Sequence, residues 1–127
     1  MELDYLKGHM GNNVIIFIYG DQVPEGKEVG IALELLEPNR VSGHEVGILY
    51  PPKQGGDLKT KIVGFTTRDF ITACGGLTQV LGKAMVENHL KEPFRLPVQG
   101  PKTKILLETD SGLTEITVEM EGGKGLD

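Results

Sequence analysis

The chain has 127 residues, which suits one globular domain and leaves little room for a second. With 13 basic and 18 acidic residues its formal net charge is −5, so the sequence offers no electrostatic basis for binding nucleic acid. The longest apolar run, Val14 to Tyr19, is too short to span a bilayer, and the N-terminus lacks a signal-peptide pattern. We therefore expect a cytoplasmic protein that binds neither nucleic acid nor a membrane.

The cysteine count limits the chemistry further. Cys74 is the only cysteine, which excludes an internal disulfide and any zinc site that needs two or more cysteines from one chain. His9 and His44 lie beside glycines without the paired spacing of metal ligands, so no metal site is predicted. Cys74 is thus either a small buried hydrophobe or a reactive thiol, and composition does not choose between them.

The first part of the chain predicts short strands separated by turns. A strand is expected over residues 3–6, ended by Gly8, and a buried strand rich in β-branched residues over Asn13 to Tyr19. Residues 27–37 fit both a helical and a strand pattern. We favour a short helix, because Ala32 to Glu37 are good helix formers.

The rest of the chain combines further strands with one apolar helix. Strands are expected over residues 45–50, 59–66 and 69–72, and a hairpin over 104–109 and 113–121. Between them, apolar residues recur at spacings of three and four from about 75 to 91, which predicts a helix inside the protein. The expected fold class is α+β, with mostly antiparallel strands wrapped around one central helix. Six glutamates are expected on solvated faces: Glu34, Glu37, Glu108, Glu115, Glu119 and Glu121.

Cys74 lies where a strand-like segment meets the predicted central helix. The positive end of a helix dipole lowers the pKa of a nearby thiol and favours the thiolate. Gly75 and Gly76 follow at once, so a ligand can approach free backbone N–H groups closely, and Thr78 adds a hydroxyl donor. Such an arrangement suits a carboxylate ligand next to a proton-abstracting thiolate.

The segment Gly64 to Thr78, with Cys74-Gly75 before the helix, resembles the core motif of the diaminopimelate epimerase-like superfamily. That superfamily includes proline racemases and phenazine-biosynthesis isomerase-like proteins. Gly8-His9-Met10-Gly11-Asn12-Asn13 is similar to the epimerases' His-Gly-x-Gly-Asn-Asp signature, one residue short and with Asn13 for the acid. The order of elements in Ile31 to Pro52 and the hairpin after the central helix also match.

The resemblance implies a specific mechanism. Members of this superfamily have two similar halves, each with strands around a central helix, and the active site lies between the halves. One thiol from each half exchanges a proton at the α-carbon of an amino acid, without pyridoxal phosphate, another cofactor or a metal. Carried across, Cys74 is one acid/base and the N–H groups of Gly75, Gly76 and Leu77 bind the substrate carboxylate. Asn12 is a candidate substrate contact.

This sequence departs from the superfamily pattern at two recognition positions. Gly76 replaces a residue that is commonly Asn, His or Ser, and Phe65 replaces a substrate-binding Asn, so diaminopimelate itself is doubtful as the substrate. The chain resembles an N-terminal half alone. We expect one epimerase-like domain over residues 1–121 and a flexible tail, or the start of a linker to an absent second half, over 122–127.

Three functional hypotheses follow. In the first, the chain is a domain of a cofactor-independent racemase, epimerase or isomerase whose partner is a second half-domain or a homodimer copy. In the second, it is a non-catalytic stand-alone or truncated domain that binds a small carboxylate or self-associates. In the third, it is an ordinary α+β interaction domain in which Cys74 is buried and inert.

Overall fold

The computed structural model describes residues 4–10, 13–71, 80–81, 102–110, 112–121 and 124–125. Their order along the chain alternates short strands with one helix and one turn of 3₁₀ helix, Gly20–Gln22. The helix α1 spans Glu28–Leu36. The strands are β1 Tyr5–Met10, β2 Asn13–Tyr19, β3 Glu45–Tyr50, β4 Leu58–Gly64, β5 Asp69–Ile71, β6 Lys102–Thr109, β7 Gly112–Glu121 and β8 Lys124–Gly125.

These strands form one mixed sheet in the order β1-β2-β3-β4-β6-β7-β8, and β5 also pairs with β4. The pairs β2–β3 and β4–β6 are parallel and the other pairs are antiparallel. Parallel neighbours require a crossover connection, and both connections contain helical residues. The first contains α1, and the second contains Val80 and Leu81. The α+β class is confirmed, with parallel pairs that the strand pattern did not predict.

The sheet is buried on both faces in its centre. On the inner face, Ile15, Phe17 and Tyr19 of β2 pack in a cluster that includes Leu81, which is fully buried. On the outer face, alternate residues of the same strand, Ile16 and Ile18, pack in a second cluster with buried residues of α1. Because successive side chains of a strand point to opposite faces, the continuous apolar run in β2 follows from burial on both sides.

Most predicted elements are confirmed. Residues 27–37 contain the helix α1, and the hairpin of β6 and β7 lies where turn chemistry predicts it. The first strand is different. It continues through Gly8 to Met10, because Gly8 pairs with Ile15 across the sheet instead of ending the strand.

The central helix can be judged at two residues. Val80 and Leu81 are helical and pack in the inner cluster, as predicted. The remainder of the predicted helix over 75–91 lies outside the described residues. Among the helices of the described ranges, none has the length and apolarity needed to cross a membrane.

Candidate active site

The residues predicted to act in catalysis or substrate binding lie between the elements that the structure describes. Cys74, Gly75, Gly76, Leu77, Thr78 and Asn12 all lie outside the described residues. In the sequence, Cys74 follows the end of β5 by three residues, and Val80 follows Thr78 by two. Asn12 stands between Met10 and Asn13, which pair with each other at the adjoining ends of β1 and β2. The structure therefore describes the frame around the predicted site.

One row of paired residues crosses five strands of this frame. Gly8 of β1 pairs with Ile15, Ile15 with Glu45, Glu45 with Gly64, and Gly64 with Asp69 of β5. Pairing across a sheet places the side chains of one row on the same face. Ile15 belongs to the inner cluster, so the row faces the side of the sheet that holds Val80 and Leu81.

The two glycines of this row leave room on the inner face for other segments of the chain. A Cβ on Gly8 would lie 2.8 Å from Cγ1 of Val80, so the absence of a side chain lets the helical segment approach β1. A Cβ on Gly64 would lie 2.9 Å from Oγ1 of Thr67 and 3.4 Å from Cγ2 of Ile71. The sheet thus accepts, at these positions, the chain segments that precede and follow Cys74.

Glu45 is the charged residue at the centre of the row. It begins β3, whose next four residues are buried. Leu49 of the same strand packs in the inner cluster, whereas Val46 and Ile48 pack in the outer one, so alternation directs Glu45 to the inner face. Its Oε2 atom is buried, and no hydrogen-bond partner is recorded for it in the part of the chain that the structure describes.

Three hydrogen bonds fix the backbone and ring of the residue before Glu45. The N–H of Val14 donates to Nδ1 of His44 at 2.9 Å, and the N–H of His44 donates to the Val14 carbonyl at 2.8 Å. The N–H of Phe65 donates to the His44 carbonyl at 2.9 Å. With Nδ1 accepting, the ring carries its proton on Nε2. His44 therefore has a structural role: it connects β2, β3 and the turn after β4.

Phe65 contributes to the opposite side of the sheet. Its side chain packs against the outer cluster, and the guanidinium carbon of Arg68 lies 5.6 Å from the centre of its ring. The resemblance implies a substrate-binding asparagine at this position. In this chain the position instead provides an apolar ring on the outer face.

The expectation for Glu108 is wrong. Its side chain is 4% exposed, and its carboxylate accepts hydrogen bonds from three backbone N–H groups in the loop before β4. These are Lys53 at 2.8 and 3.0 Å, Gln54 at 2.7 Å and Gly56 at 2.9 Å. A Cβ on Gly56 would lie 2.8 Å from Cγ of Glu108, so the clamp requires glycine there. Burial is tolerated because the charge is satisfied by several donors.

The same contacts set the charge state of Glu108. Burial by itself raises the pKa of its carboxyl. The backbone hydrogen bonds from Lys53, Gln54 and Gly56, together with the nearby charge of Lys59, outweigh burial and hold the pKa below its ordinary value. Asp57 adds two hydrogen bonds between the end of this loop and β6. Its N–H donates to the Leu106 carbonyl, and its Oδ2 accepts from the Leu106 N–H. Glu108 is therefore an ionised structural clamp.

No group of three or more histidine, cysteine, aspartate or glutamate side chains arranged to hold a metal ion occurs among the described residues.

No protein-family model and no curated protein matches the sequence. Solved structures do match its fold. A hydroxyproline epimerase from Agrobacterium vitis aligns with a TM-score of 0.74 at 18% identity, covering 97% of this chain and 39% of that chain. Methylitaconate delta-isomerase aligns with a TM-score of 0.74 at 21% identity, covering 98% and 36%. A phenazine biosynthesis protein of the PhzF family from Bacillus anthracis aligns with a TM-score of 0.65 at 17% identity, covering 94% and 36%.

These matches show that the chain has the fold of these three solved proteins, as the sequence resemblance predicts. The similarity extends over nearly all of this chain. The chain spans less than two fifths of the length of each of the three proteins.

Sequence reasoning missed Glu45 and the true position of Glu108. A signal for Glu45 was present, because a charged residue at the start of a continuous apolar strand occupies a position that the pattern assigns to the core. For Glu108 no local signal exists. Its partners come 52 to 55 residues earlier in the chain.

Proposed function

We propose that the chain is a domain of a cofactor-independent racemase, epimerase or isomerase that acts at the α-carbon of an amino acid or a similar small carboxylate. The fold carries this proposal: the chain aligns along 97% of its length with a hydroxyproline epimerase. The burial of Leu81 against the inner face supports it, since a central helix held inside a sheet is what the resemblance implies.

In this proposal Cys74 is one of two acid/base thiols. Its thiolate removes the α-proton, and the negative charge that develops spreads onto the substrate carboxylate. The N–H groups of Gly75, Gly76 and Leu77 stabilise that charge, with the Thr78 hydroxyl as a further donor. Asn12 contacts the substrate, and a second thiol returns a proton to the opposite face of the carbon.

The second thiol must come from elsewhere, because Cys74 is the only cysteine in the chain. A second half-domain would supply it. A homodimer is the other source, because a two-fold axis places two copies of the same surface opposite each other.

A non-catalytic role is the alternative, in which the domain binds a small carboxylate or self-associates. Two residues favour it. Gly76 has no side chain that could contact a substrate. At the position where the resemblance implies a substrate-binding asparagine, this chain has Phe65, whose ring packs against the outer cluster.

Solvent exchange at the α-carbon separates these functions. The chain is incubated in D₂O with proline, hydroxyproline or diaminopimelate, and loss of the α-proton signal is followed by NMR. The proposal expects exchange with at least one of them that Cys74→Ala abolishes and Thr117→Ala, an exposed β7 variant, retains. A rate per chain that rises with chain concentration indicates the homodimer. Carboxylate binding without exchange supports the alternative.

A further inference from the structure

The imidazole ring of His44 holds one end of the parallel β2–β3 pair. The Val14 carbonyl accepts from the N–H of His44 at 2.8 Å. The N–H of Val14 donates to Nδ1 of the same histidine at 2.9 Å. Both backbone groups of Val14 therefore depend on His44, one on its main chain and the other on its ring.

The ring takes the place of a backbone acceptor at this end of the ladder. Ser42 has a φ of 69°, in the left-handed region, and its N–H donates to the Leu35 carbonyl at 3.0 Å. The chain before His44 thus turns toward the end of α1 and does not extend β3 backwards. Nδ1 of His44, instead of a ladder carbonyl, accepts from Val14.

An imidazole nitrogen accepts a hydrogen bond only while it carries no proton. In the neutral ring one nitrogen donates and the other accepts, whereas in the imidazolium both are donors. Protonation of Nδ1 would place one N–H against another at Val14, so this hydrogen bond would break. His44 is exposed, and its protonated ring can therefore turn into water.

We infer that His44 is a pH-sensitive latch on the sheet, which holds the start of β2 to β3 when the ring is neutral and releases it when the ring is protonated. The next pair along, Ile15 with Glu45, is held by the ladder itself, so the opening is local. The latch needs neither a substrate nor a second copy of the chain, and it is independent of the proposed function.

The strands around the latch carry three other titratable side chains. Glu45 follows His44 on β3 and is directed to the inner face. On β1, His9 pairs with Val14, and Nζ of Lys7 donates to a backbone carbonyl in the segment before β3 at 2.7 Å. Of these side-chain types, histidine ordinarily changes its charge between pH 5 and pH 8, so the test includes a variant at His9.

The remaining charged groups beside the latch are engaged elsewhere. In the turn after β4, the guanidinium of Arg68 lies over an aromatic ring, and Oδ1 of Asp69 accepts from the next backbone N–H at 2.7 Å. Between α1 and β3, Arg40 lies 3.4 Å from Glu34. The contact that fixes the imidazole is therefore the one with Val14.

NMR of the full chain tests the latch. At pH 8 the ring ¹⁵N shifts of His44 are expected to show the proton on Nε2. Solvent exchange of the Val14 amide is measured at pH 8 and at pH 5, each relative to an unstructured amide at the same pH. Loss of one hydrogen bond predicts a fall in Val14 protection of roughly two- to tenfold at pH 5. The Ser42 amide, whose acceptor is a backbone carbonyl, should keep its protection.

Matched variants separate the ring from other causes. His44→Asn places a non-titrating acceptor oxygen where Nδ1 stands, so Val14 should stay protected at both pH values. His44→Phe has no acceptor and should show the low protection at both. His9→Gln should retain the pH dependence. The Glu108 clamp does not interfere, because the lowered pKa of Glu108 keeps it ionised at pH 5.

Three results would overturn the inference: a proton on Nδ1 at pH 8, equal Val14 protection at pH 8 and pH 5, or a pH dependence that disappears in His9→Gln. Should His44→Phe fail to fold, the comparison between the unmodified chain and His44→Asn still decides. A pH dependence that persists in His44→Asn also contradicts the latch.

Discussion

The carboxylate of Glu108 is bound by the backbone of a loop more than fifty residues earlier in the chain. The N–H groups that bind it favour the ionised form, and Lys59 adds an attractive charge. Because the folded loop binds the ionised carboxylate better than the protonated one, the folding of the loop is thermodynamically linked to the ionisation of Glu108. Its effect on stability must therefore depend on pH.

The direction of that dependence follows from the lowered pKa. The stabilisation is complete above the ordinary glutamate value near 4.5 and disappears as the pH falls through the lower value of the folded state. We expect Glu108→Gln to reduce the free energy of unfolding at pH 7, and the difference from the unmodified chain to narrow on acidification. Urea denaturation at several pH values measures this.

Glu115→Gln is the control for that experiment, because its side chain is exposed on the neighbouring strand. It should leave the stability at pH 7 nearly unchanged. A constant difference between Glu108→Gln and the unmodified chain from pH 7 to pH 3 would show that the clamp does not depend on charge.

At the scale of elements, the contact between Gly8 and Val80 brings the helical segment onto β1. The 2.8 Å separation between a Cβ at Gly8 and Cγ1 of Val80 leaves no room for a side chain. Gly8→Ala should therefore lower the free energy of unfolding by about 1–3 kcal/mol, as overpacking does. In a Val80→Ala background the same change should cost less.

A double-mutant cycle by urea denaturation measures that coupling. Gly30→Ala is the matched control: Gly30 lies in α1 with no atom within 4 Å of a new Cβ, so helix propensity predicts a gain of up to about 1 kcal/mol. An equal cost of Gly8→Ala in both backgrounds would contradict the packing of the helical segment against β1.

The elements that could be predicted are those whose signals are local. The helix α1 follows from a run of good helix formers, and the β6–β7 hairpin follows from alternation around a turn. The extent of β1 could not be predicted, because Gly8 belongs to the strand through its pairing with Ile15 of β2 rather than through a local signal. The parallel pairs depend in the same way on crossover segments that bring distant strands together.

At the scale of the whole molecule, the fold and the chemistry rest on different observations. The fold is that of the solved hydroxyproline epimerase and methylitaconate delta-isomerase, and it agrees with the fold that the sequence resemblance implies. The site at Cys74 stays a prediction from the glycines that follow it in the sequence. The inward position of Glu45 follows only once β3 has neighbours on both sides. The proposed chemistry depends on a thiolate at Cys74.

The pH dependence of Cys74 alkylation tests that claim most directly, since the chain has one cysteine and the reaction needs neither substrate nor partner. Iodoacetamide incorporation into the native chain is followed by mass spectrometry across the pH range. The urea-unfolded chain provides the reference, with a half-point near the free-thiol value of about 8.5. A thiolate stabilised at Cys74 predicts a native half-point clearly below that reference. A half-point at or above it would contradict an acid/base role for Cys74.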